Sequence, residues 1–197
     1  MSGRKQFDET EAVEAALGVF WAKGYKATSM SELESATGLN KSSIYNTFEN
    51  KEALYGQCLE RFRTHYTSWA LEKLEHADFK TAITDFIECL APGFDSDNNP
   101  TRCFATMAAL EMGSSDSFVA DFIDKGLKEM LGKIEQRLAQ GVKDGQLVAG
   151  TDCKALAAMI VAVSRGAIVI HLGTRGSEAA PKAYECLLNY VHQQIIA

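Results

Sequence analysis

The chain has 197 residues, of which 46% are hydrophobic and 23% are charged, and its formal net charge is −6. This length fits one large or two small domains with a buried core, while five scattered cysteines without a CxxC pair exclude a disulfide framework or a zinc ribbon. The first residues lack the apolar core of a secretory signal, and we expect no apolar run of the roughly 18–20 residues that a membrane span needs. The composition therefore predicts a soluble, cytoplasmic protein without membrane contact.

The acidic charge is concentrated in the later part of the chain. Residues 1–63 hold 8 Lys and Arg against 9 Asp and Glu, which leaves 12 against 17 for the remainder. Within the first part, the stretch from Ser35 to Phe48 contains one charged residue, Lys41, and no acid. A negative net charge argues against a protein that coats nucleic acid, but it permits a small local surface that reads DNA.

Helix start and stop signals follow each other closely in the first quarter of the chain. Side chains that accept hydrogen bonds from first-turn amides precede four predicted helices; they are Asp8, Ser29 with Glu32 in a capping box, Asn40 and Asn50. Gly24 and Gly38 end the first two helices. The apolar stripe from Tyr55 to Trp69 predicts one long fourth helix.

Helical patterns continue to the end of the chain. The predicted segments are 79–90, a helix opened by Asn99-Pro100 that runs through Leu110, 118 to about 141, 155–172, and a last helix after Ser177. No segment alternates apolar and polar residues with the period of a strand. The sequence therefore predicts an all-α fold.

Two of the short helices form a predicted helix-turn-helix between Thr28 and Lys51. Gly38 allows the sharp turn, and Leu39 supplies an apolar contact that fixes it. The following helix has Ile44 and Phe48 on its apolar side and short polar residues on the other. A helix enters the major groove only if its outward side chains reach base edges without acidic repulsion, which the acid-free stretch satisfies.

The same segment resembles the N-terminal domain of TetR-family transcriptional regulators. The resemblance rests on Phe20-Trp21-Ala22-Lys23-Gly24-Tyr25-Lys26-Ala27-Thr28 and on Ala36-Thr37-Gly38-Leu39-Asn40-Lys41-Ser42-Ser43-Ile44-Tyr45-Asn46-Thr47-Phe48, followed by Lys51-Glu52-Ala53-Leu54. It implies a helix-turn-helix domain over residues 1–50, joined to a larger helical domain over residues 51–197 that binds an effector and dimerises. Thr47 departs from the family, which often has His at this position.

The resemblance also implies residues that contact double-stranded DNA. Thr28 and Lys51 would bind phosphates, and Lys41, Ser42 and Ser43 would face the major groove. Tyr45, Asn46 and Thr47 would contact phosphates or flanking bases. Arg4 and Lys5 would enter a minor groove, with a solvated tail as the alternative. Tyr45 as a core aromatic, and Ser42 and Ser43 as ordinary solvated positions, are the other interpretations.

Few cations per subunit predict that DNA binding needs a homodimer on a palindromic operator, with two half-sites bound at once. The last two helices are the candidate interface, because Ala155 to Val163 is apolar on every face. A central core helix is the alternative.

A small-molecule effector is expected in the second domain. Its candidate lining residues are Tyr66, Trp69, Phe104, Met107 and His171; plain core packing, and a structural hydrogen bond for His171, are the alternatives. Cys103 lies beside Arg102 near a predicted helix start, and both features favour a reactive thiolate. It also resembles the cysteine of TetR-type repressors that sense electrophiles. A small core residue is its alternative.

Enzyme motifs are missing from the sequence. It contains no Walker loop, HExxH, GxSxG, or GxGxxG after a strand, and its four histidines show no metal-ligand spacing. We therefore predict no catalysis, no cofactor and no metal. The favoured function is a DNA-binding regulator, most simply a repressor, released by a small-molecule or thiol-reactive effector. The alternative is a helical small-molecule-binding protein with a degenerate helix-turn-helix.

Overall fold

The computed structural model describes residues 7–91, 103–113, 116–174 and 177–196. Its α-helices are α1 Glu9–Lys23, α2 Met30–Thr37, α3 Lys41–Phe48, α4 Lys51–Phe62, α5 Ser68–Glu72, α6 Phe79–Leu90, α7 Phe104–Met112, α8 Ser117–Lys143, α9 Cys153–Thr174 and α10 Ala179–Gln194. Within these ranges the β-structure is one isolated bridge, between Leu147 and Ile195. The predicted all-α fold is confirmed.

The predicted caps of the first four helices are present. Asp8 accepts a hydrogen bond from the Thr10 amide at 2.7 Å, and Ser29 and Glu32 form the reciprocal capping box. Asn40 and Asn50 each accept from the amide three residues on. Because these caps satisfy amides that have no partner within the helix, local sequence alone fixes where the helices begin. The predicted start at Asn99-Pro100 lies outside the described residues.

The predicted long fourth helix is interrupted. α4 ends at Phe62, a π-helical turn covers Arg63–Thr67, and α5 is followed by a 3-10 turn at Lys73–Glu75. A π turn takes more residues than an α turn, so it rotates the apolar stripe away from its expected direction. Trp69, predicted to lie on that stripe, is consequently 53% exposed.

The chain forms two compact units. Unit 1 comprises Met1–Tyr66 and Phe104–Asp121 and so contains α1 to α4, α7 and the start of α8. In it, α1 packs against α2 and α4, and α4 packs against α7. Its buried side chains include Leu17, Phe20 and Leu54. The domain boundary predicted after residue 50 stays a prediction.

Unit 2 comprises Thr67–Cys103 and Phe122–Ala197. Its apolar core is formed by α5, α6, α8, α9 and α10, with Phe86, Ile134, Ile160 and Leu187 among the buried residues. The Tyr184 hydroxyl donates to the Leu90 carbonyl at 2.5 Å, which links α10 to the end of α6. The opposite faces of α9 and α10 lie outside this core.

α9 corrects the expectation that no stretch is long and apolar enough to cross a membrane. Among the described residues it is the one helix that meets this criterion by length and composition, although only 39% of its most apolar window is buried within the chain. The core helix of a protein in water passes the same test. One side of α9 packs on α6 and α10, and the other side is exposed and, between Lys154 and Thr174, carries small or apolar residues.

Candidate nucleic-acid interface

α3 separates an apolar side from a polar side. Ile44 and Phe48, one helical turn apart, are 0% and 1% exposed and anchor α3 to the core of unit 1. The opposite side carries Lys41, Ser42, Tyr45 and Asn46, all of them exposed. Tyr45 is 39% exposed, so it is not a core aromatic. Ser43 and Thr47 flank this face and are half-buried.

The exposed face of α3 offers the groups that DNA recognition uses. Lys41 is a cation for phosphate, while Ser42, Tyr45 and Asn46 carry groups that both donate and accept hydrogen bonds. The Lys41 ammonium lies 5.8 Å from the centre of the Tyr45 ring, within the range of a cation–π contact. This face therefore combines attraction to phosphate with the hydrogen-bonding capacity to read bases.

The ends of α3 are fixed by contacts that define its direction. At its start, the Glu34 carboxylate on α2 accepts a hydrogen bond from the Lys41 amide. At its end, Glu49 has a φ of +66°, and the Asn50 amide donates to the Phe48 carbonyl at 2.7 Å. This is a γ-turn with a positive φ, and it allows α4 to begin with only two residues between it and the end of α3.

Thr28 does not lie on this surface. Its side chain is 2% exposed, and its hydroxyl donates to the Gly24 carbonyl at 2.7 Å. The predicted phosphate contact of Thr28 is therefore not supported by its position. The physical reason is that the hydroxyl closes the turn between α1 and α2, where a backbone carbonyl needs a donor.

Lys51 is engaged within the protein. Its ammonium donates to the carbonyls of Tyr25 at 2.6 Å and Thr28 at 2.5 Å and lies 4.4 Å from the centre of the Tyr25 ring. Burial lowers the pKa of this ammonium, and the charges of Glu111 and Glu32 oppose that shift. Two of its three hydrogens are thus committed to the turn between α1 and α2, and its phosphate contact stays a prediction. Arg4 and Lys5 lie outside the described residues.

Two residues predicted to line an effector pocket belong to an aromatic cluster inside unit 1. The Phe104 ring is 5.3 Å from the Tyr55 ring and 5.8 Å from the Phe62 ring, centre to centre. Tyr66 stacks on Phe62, and its hydroxyl donates to Glu14 at 2.8 Å. For Phe104 and Tyr66 these contacts favour the alternative of core packing.

The remaining predicted effector residues are divided between the units. Met107 is half-buried in unit 1 and His171 is half-buried in unit 2. Trp69, also in unit 2, is exposed and has the Lys73 ammonium 5.0 Å from its ring centre. The effector pocket therefore stays a prediction.

Cys103 directly precedes α7 and has a cationic partner. The Arg165 guanidinium, on α9, donates a hydrogen bond to the Cys103 sulfur. Both also interact electrostatically with Tyr184, whose pKa is raised to about 12 by burial. The sequence analysis considered Arg102 as the cation beside Cys103, and Arg102 lies outside the described residues. The cation that contacts the sulfur in the structure is Arg165.

Sequence reasoning missed Glu111 on α7. Its carboxylate accepts hydrogen bonds from the backbone amides of Tyr25 and Lys26. Nothing in the local sequence of a helical glutamate indicates partners more than 80 residues away, so no pattern would have found it.

An α-helix with an exposed acid-free face, held by a capped partner helix and a glycine turn, defines a helix-turn-helix DNA-binding protein. The sequence model described as "Bacterial regulatory proteins, tetR family" matches residues 12–58. The model described as "Tetracyclin repressor-like, C-terminal domain" matches residues 81–186. The chain belongs to the TetR family, whose members are DNA-binding regulators of transcription and not enzymes.

Known proteins that resemble this chain over most of their length are regulators of the same kind. The HTH-type transcriptional repressor ComR of Escherichia coli (strain K12) is 26% identical over 164 residues, which cover 82% of this chain and 78% of ComR. A TetR-family regulator from Cytophaga hutchinsonii superimposes with a TM-score of 0.82 at 20% identity and covers 98% of this chain and 100% of its own. A cysteine mutant of the TetR-family regulator CifR, complexed with 26-base-pair operator DNA, has a TM-score of 0.77 at 25% identity, with 97% of each chain covered.

Proposed function

We propose that this protein is a transcriptional repressor that binds a palindromic operator as a homodimer and leaves it when an effector binds or modifies the protein. The observation that carries the proposal is the exposed face of α3, where Lys41, Ser42, Tyr45 and Asn46 lie together without an acid in the helix. ComR is a repressor by name, and the CifR mutant is bound to operator DNA. Cytoplasmic location follows from this function.

Dimerisation is supported by the outward faces of α9 and α10. On α9 the exposed residues between Lys154 and Thr174 recur at helical spacing and are small or apolar; they are Ala155, Ala158, Ala162, Val169, Ile170 and Gly173. On α10 Tyr190 is 47% exposed and lies one turn from Cys186. An exposed apolar stripe with small residues permits close helix–helix contact. A second copy of this chain fits such a face, since its own stripe is the same.

The small number of positive charges on each subunit explains why operator binding would need a dimer. One α3 presents one lysine on its exposed face, and a monomer with few phosphate contacts binds weakly at physiological salt. Two copies related by a twofold axis place two such helices in successive major grooves. Affinity then comes from the pair, and the two half-sites form a palindrome.

The DNA-binding proposal is tested by selecting duplexes from a random library with the purified protein. The dissociation constant of the selected duplex is then measured over a range of salt concentrations. We expect a palindromic sequence and an affinity that falls steeply as salt rises. The absence of any salt-dependent selection would instead favour the alternative, a helical small-molecule-binding protein with a degenerate helix-turn-helix.

The proposed effector chemistry is modification of Cys103. The Arg165 guanidinium donates a hydrogen bond to the Cys103 sulfur, so an adduct on this sulfur would disturb a contact made inside unit 2. A thiolate adds to the carbon–carbon double bond of N-ethylmaleimide, so that a carbon–sulfur bond forms and the neighbouring carbon takes up a proton from water. The adduct adds a succinimide ring to a half-buried sulfur, and we expect it to separate the sulfur from Arg165 and to disturb the start of α7.

Cysteine variants test this step. We expect N-ethylmaleimide to release the selected duplex from the wild-type protein and from Cys89→Ser, the control at another half-buried cysteine, but not from Cys103→Ser. Equal loss of binding in Cys103→Ser would show that the thiol switch is wrong while leaving the DNA-binding proposal intact.

A further inference from the structure

The turn between α1 and α2 is held on its amide side by Glu111. The carboxylate of this α7 residue accepts from the Tyr25 amide at 2.8 Å and from the Lys26 amide at 2.7 Å, with one oxygen for each. The Lys26 ammonium donates to the Glu111 carbonyl at 3.1 Å. Hydrogen bonds from amides to an ionised carboxylate are stronger than those between neutral groups, so α7 holds this turn firmly.

Lys51 holds the same turn on its carbonyl side. Its ammonium donates to the Tyr25 and Thr28 carbonyls, so Tyr25 is bound through its amide by α7 and through its carbonyl by α4. A turn that lies between an anion and a cation from two different helices has little freedom to shift.

Gly24 shows how closely the carboxylate fits. Its φ is +85°, and a Cβ added there would lie 2.8 Å from the nearer Glu111 oxygen. A side chain at this position would strain the backbone and displace the carboxylate. The glycine therefore permits the approach of Glu111 to the turn.

The turn leads directly into the helices that form the interface. α2 begins at Met30, two residues after Thr28, and packs against α3. We infer that Glu111 is a positioning residue for DNA binding, whose carboxylate fixes the α1–α2 turn and through it the direction of α2 and α3. This inference rests on the proposed function, since it concerns the presentation of the α3 face to DNA.

If Glu111 affected DNA binding only through its charge, its removal would have the opposite effect on affinity. DNA is a polyanion, so removal of a carboxylate from unit 1 would strengthen binding by reducing repulsion. Positioning requires that removal weakens binding. The two roles therefore differ in the sign of the effect.

Glu111→Gln, Glu111→Leu and the control Glu11→Gln separate the two roles. Glu11 is an exposed carboxylate in the first turn of α1. With the duplex selected by the unmodified protein, we expect binding about tenfold weaker for Glu111→Gln, which keeps one acceptor oxygen, and about a hundredfold weaker for Glu111→Leu, which keeps none. The control should bind as tightly as the unmodified protein or slightly more tightly. A charge effect alone would make both Glu111 variants equal.

Hydrogen exchange at individual amides provides the second measurement. In Glu111→Gln we expect faster exchange at the amides of Tyr25 and Lys26, with the α6 amides of unit 2 unchanged. This readout decides the geometry even where Glu111→Leu fails to fold. The inference would be overturned if both variants bound DNA with unchanged or higher affinity, or if exchange at these two amides were unchanged. The proposed function would still stand in each case. Failure of the unmodified protein to select any duplex would overturn both.

Discussion

α3 and α9 both leave one side exposed, and the two sides have opposite chemistry. The exposed side of α3 is polar and carries Lys41 and Asn46, whereas that of α9 is apolar and carries Ala162 and Val169. The buried sides are alike, since Ile44 on α3 and Ile160 on α9 are both 0% exposed. The buried side of each helix thus matches the apolar core, and the chemistry of the exposed side indicates the partner. We propose nucleic acid for α3 and a second copy of the chain for α9.

Both units have an apolar core, and polar contacts at partly exposed positions also join the helices of unit 1. Unit 1 joins its helices with ionic contacts, among them Arg61 to Glu14 at 2.6 Å and Glu111 to the α1–α2 turn. The core of unit 2 is a cluster of apolar side chains from several helices. Hydrogen bonds that involve a charged group are directional, so they help to fix the placement of the helices in unit 1.

The largest expected effect comes from placing a charge on the apolar face. Ala162→Glu should convert the dimer to monomers, because a carboxylate buried in an apolar contact is strongly unfavourable. DNA affinity should then fall by about a hundredfold or more, since only one half-site is bound at a time. Analytical ultracentrifugation and DNA titration measure the two effects.

The matched control for that change is Ala139→Glu, which adds the same charge at an exposed position of α8. It should leave the dimer intact. If Ala162→Glu remains a dimer, the dimer interface lies elsewhere, and the exposed face of α9 is not the surface that binds a second copy.

An intermediate effect is expected on the polar face. Asn46→Asp keeps the shape of the side chain and introduces a negative charge into the acid-free face of α3. We expect binding to the selected duplex about ten- to a hundredfold weaker, through repulsion by phosphates and loss of the amide donor. Gln136→Glu, an exposed site on α8, provides the same charge change and should alter affinity little. Equal affinities of the two variants would remove α3 from the interface.

The smallest effect concerns the polar contacts inside unit 1. Partial burial raises the pKa of Glu14, but hydrogen bonds from Arg61 and Tyr66 outweigh it and leave the pKa below its ordinary value. A lowered carboxyl pKa stabilises the folded state above the unfolded-state pKa, and this contribution is lost as pH falls through the folded-state pKa. Because the pair is partly exposed, we expect Glu14→Gln to cost less than about 1 kcal/mol at neutral pH.

The pH dependence is the check on that value. Chemical denaturation at pH 7, and again below the ordinary carboxyl pKa of about 4.3, should show the difference between Glu14→Gln and the unmodified protein shrinking in acid. A difference that is constant with pH would mean that packing, and not ionisation of Glu14, carries the contribution.

The sequence by itself determined the helices of the interface. Capping residues such as Asn40 and Asn50 satisfy amides within three residues of themselves, and the apolar pair Ile44 and Phe48 follows from helical periodicity. Both signals are local, so they can be recognised without knowledge of the rest of the chain. The same is true of the acid-free stretch that indicated DNA, and of the apolar run on α9.

Only the tertiary structure decided which polar groups reach outward. Thr28 and Lys51 match a family pattern for phosphate binding, but one is buried and the other is bound to carbonyls of the α1–α2 turn. A single π turn moved Trp69 off its predicted stripe, and the partners of Glu111 and Cys103 are tens of residues away in the chain. Backbone carbonyls and amides in turns have no sequence signature, because every residue has them, and so the side chains that satisfy them are identified only when the chain is folded.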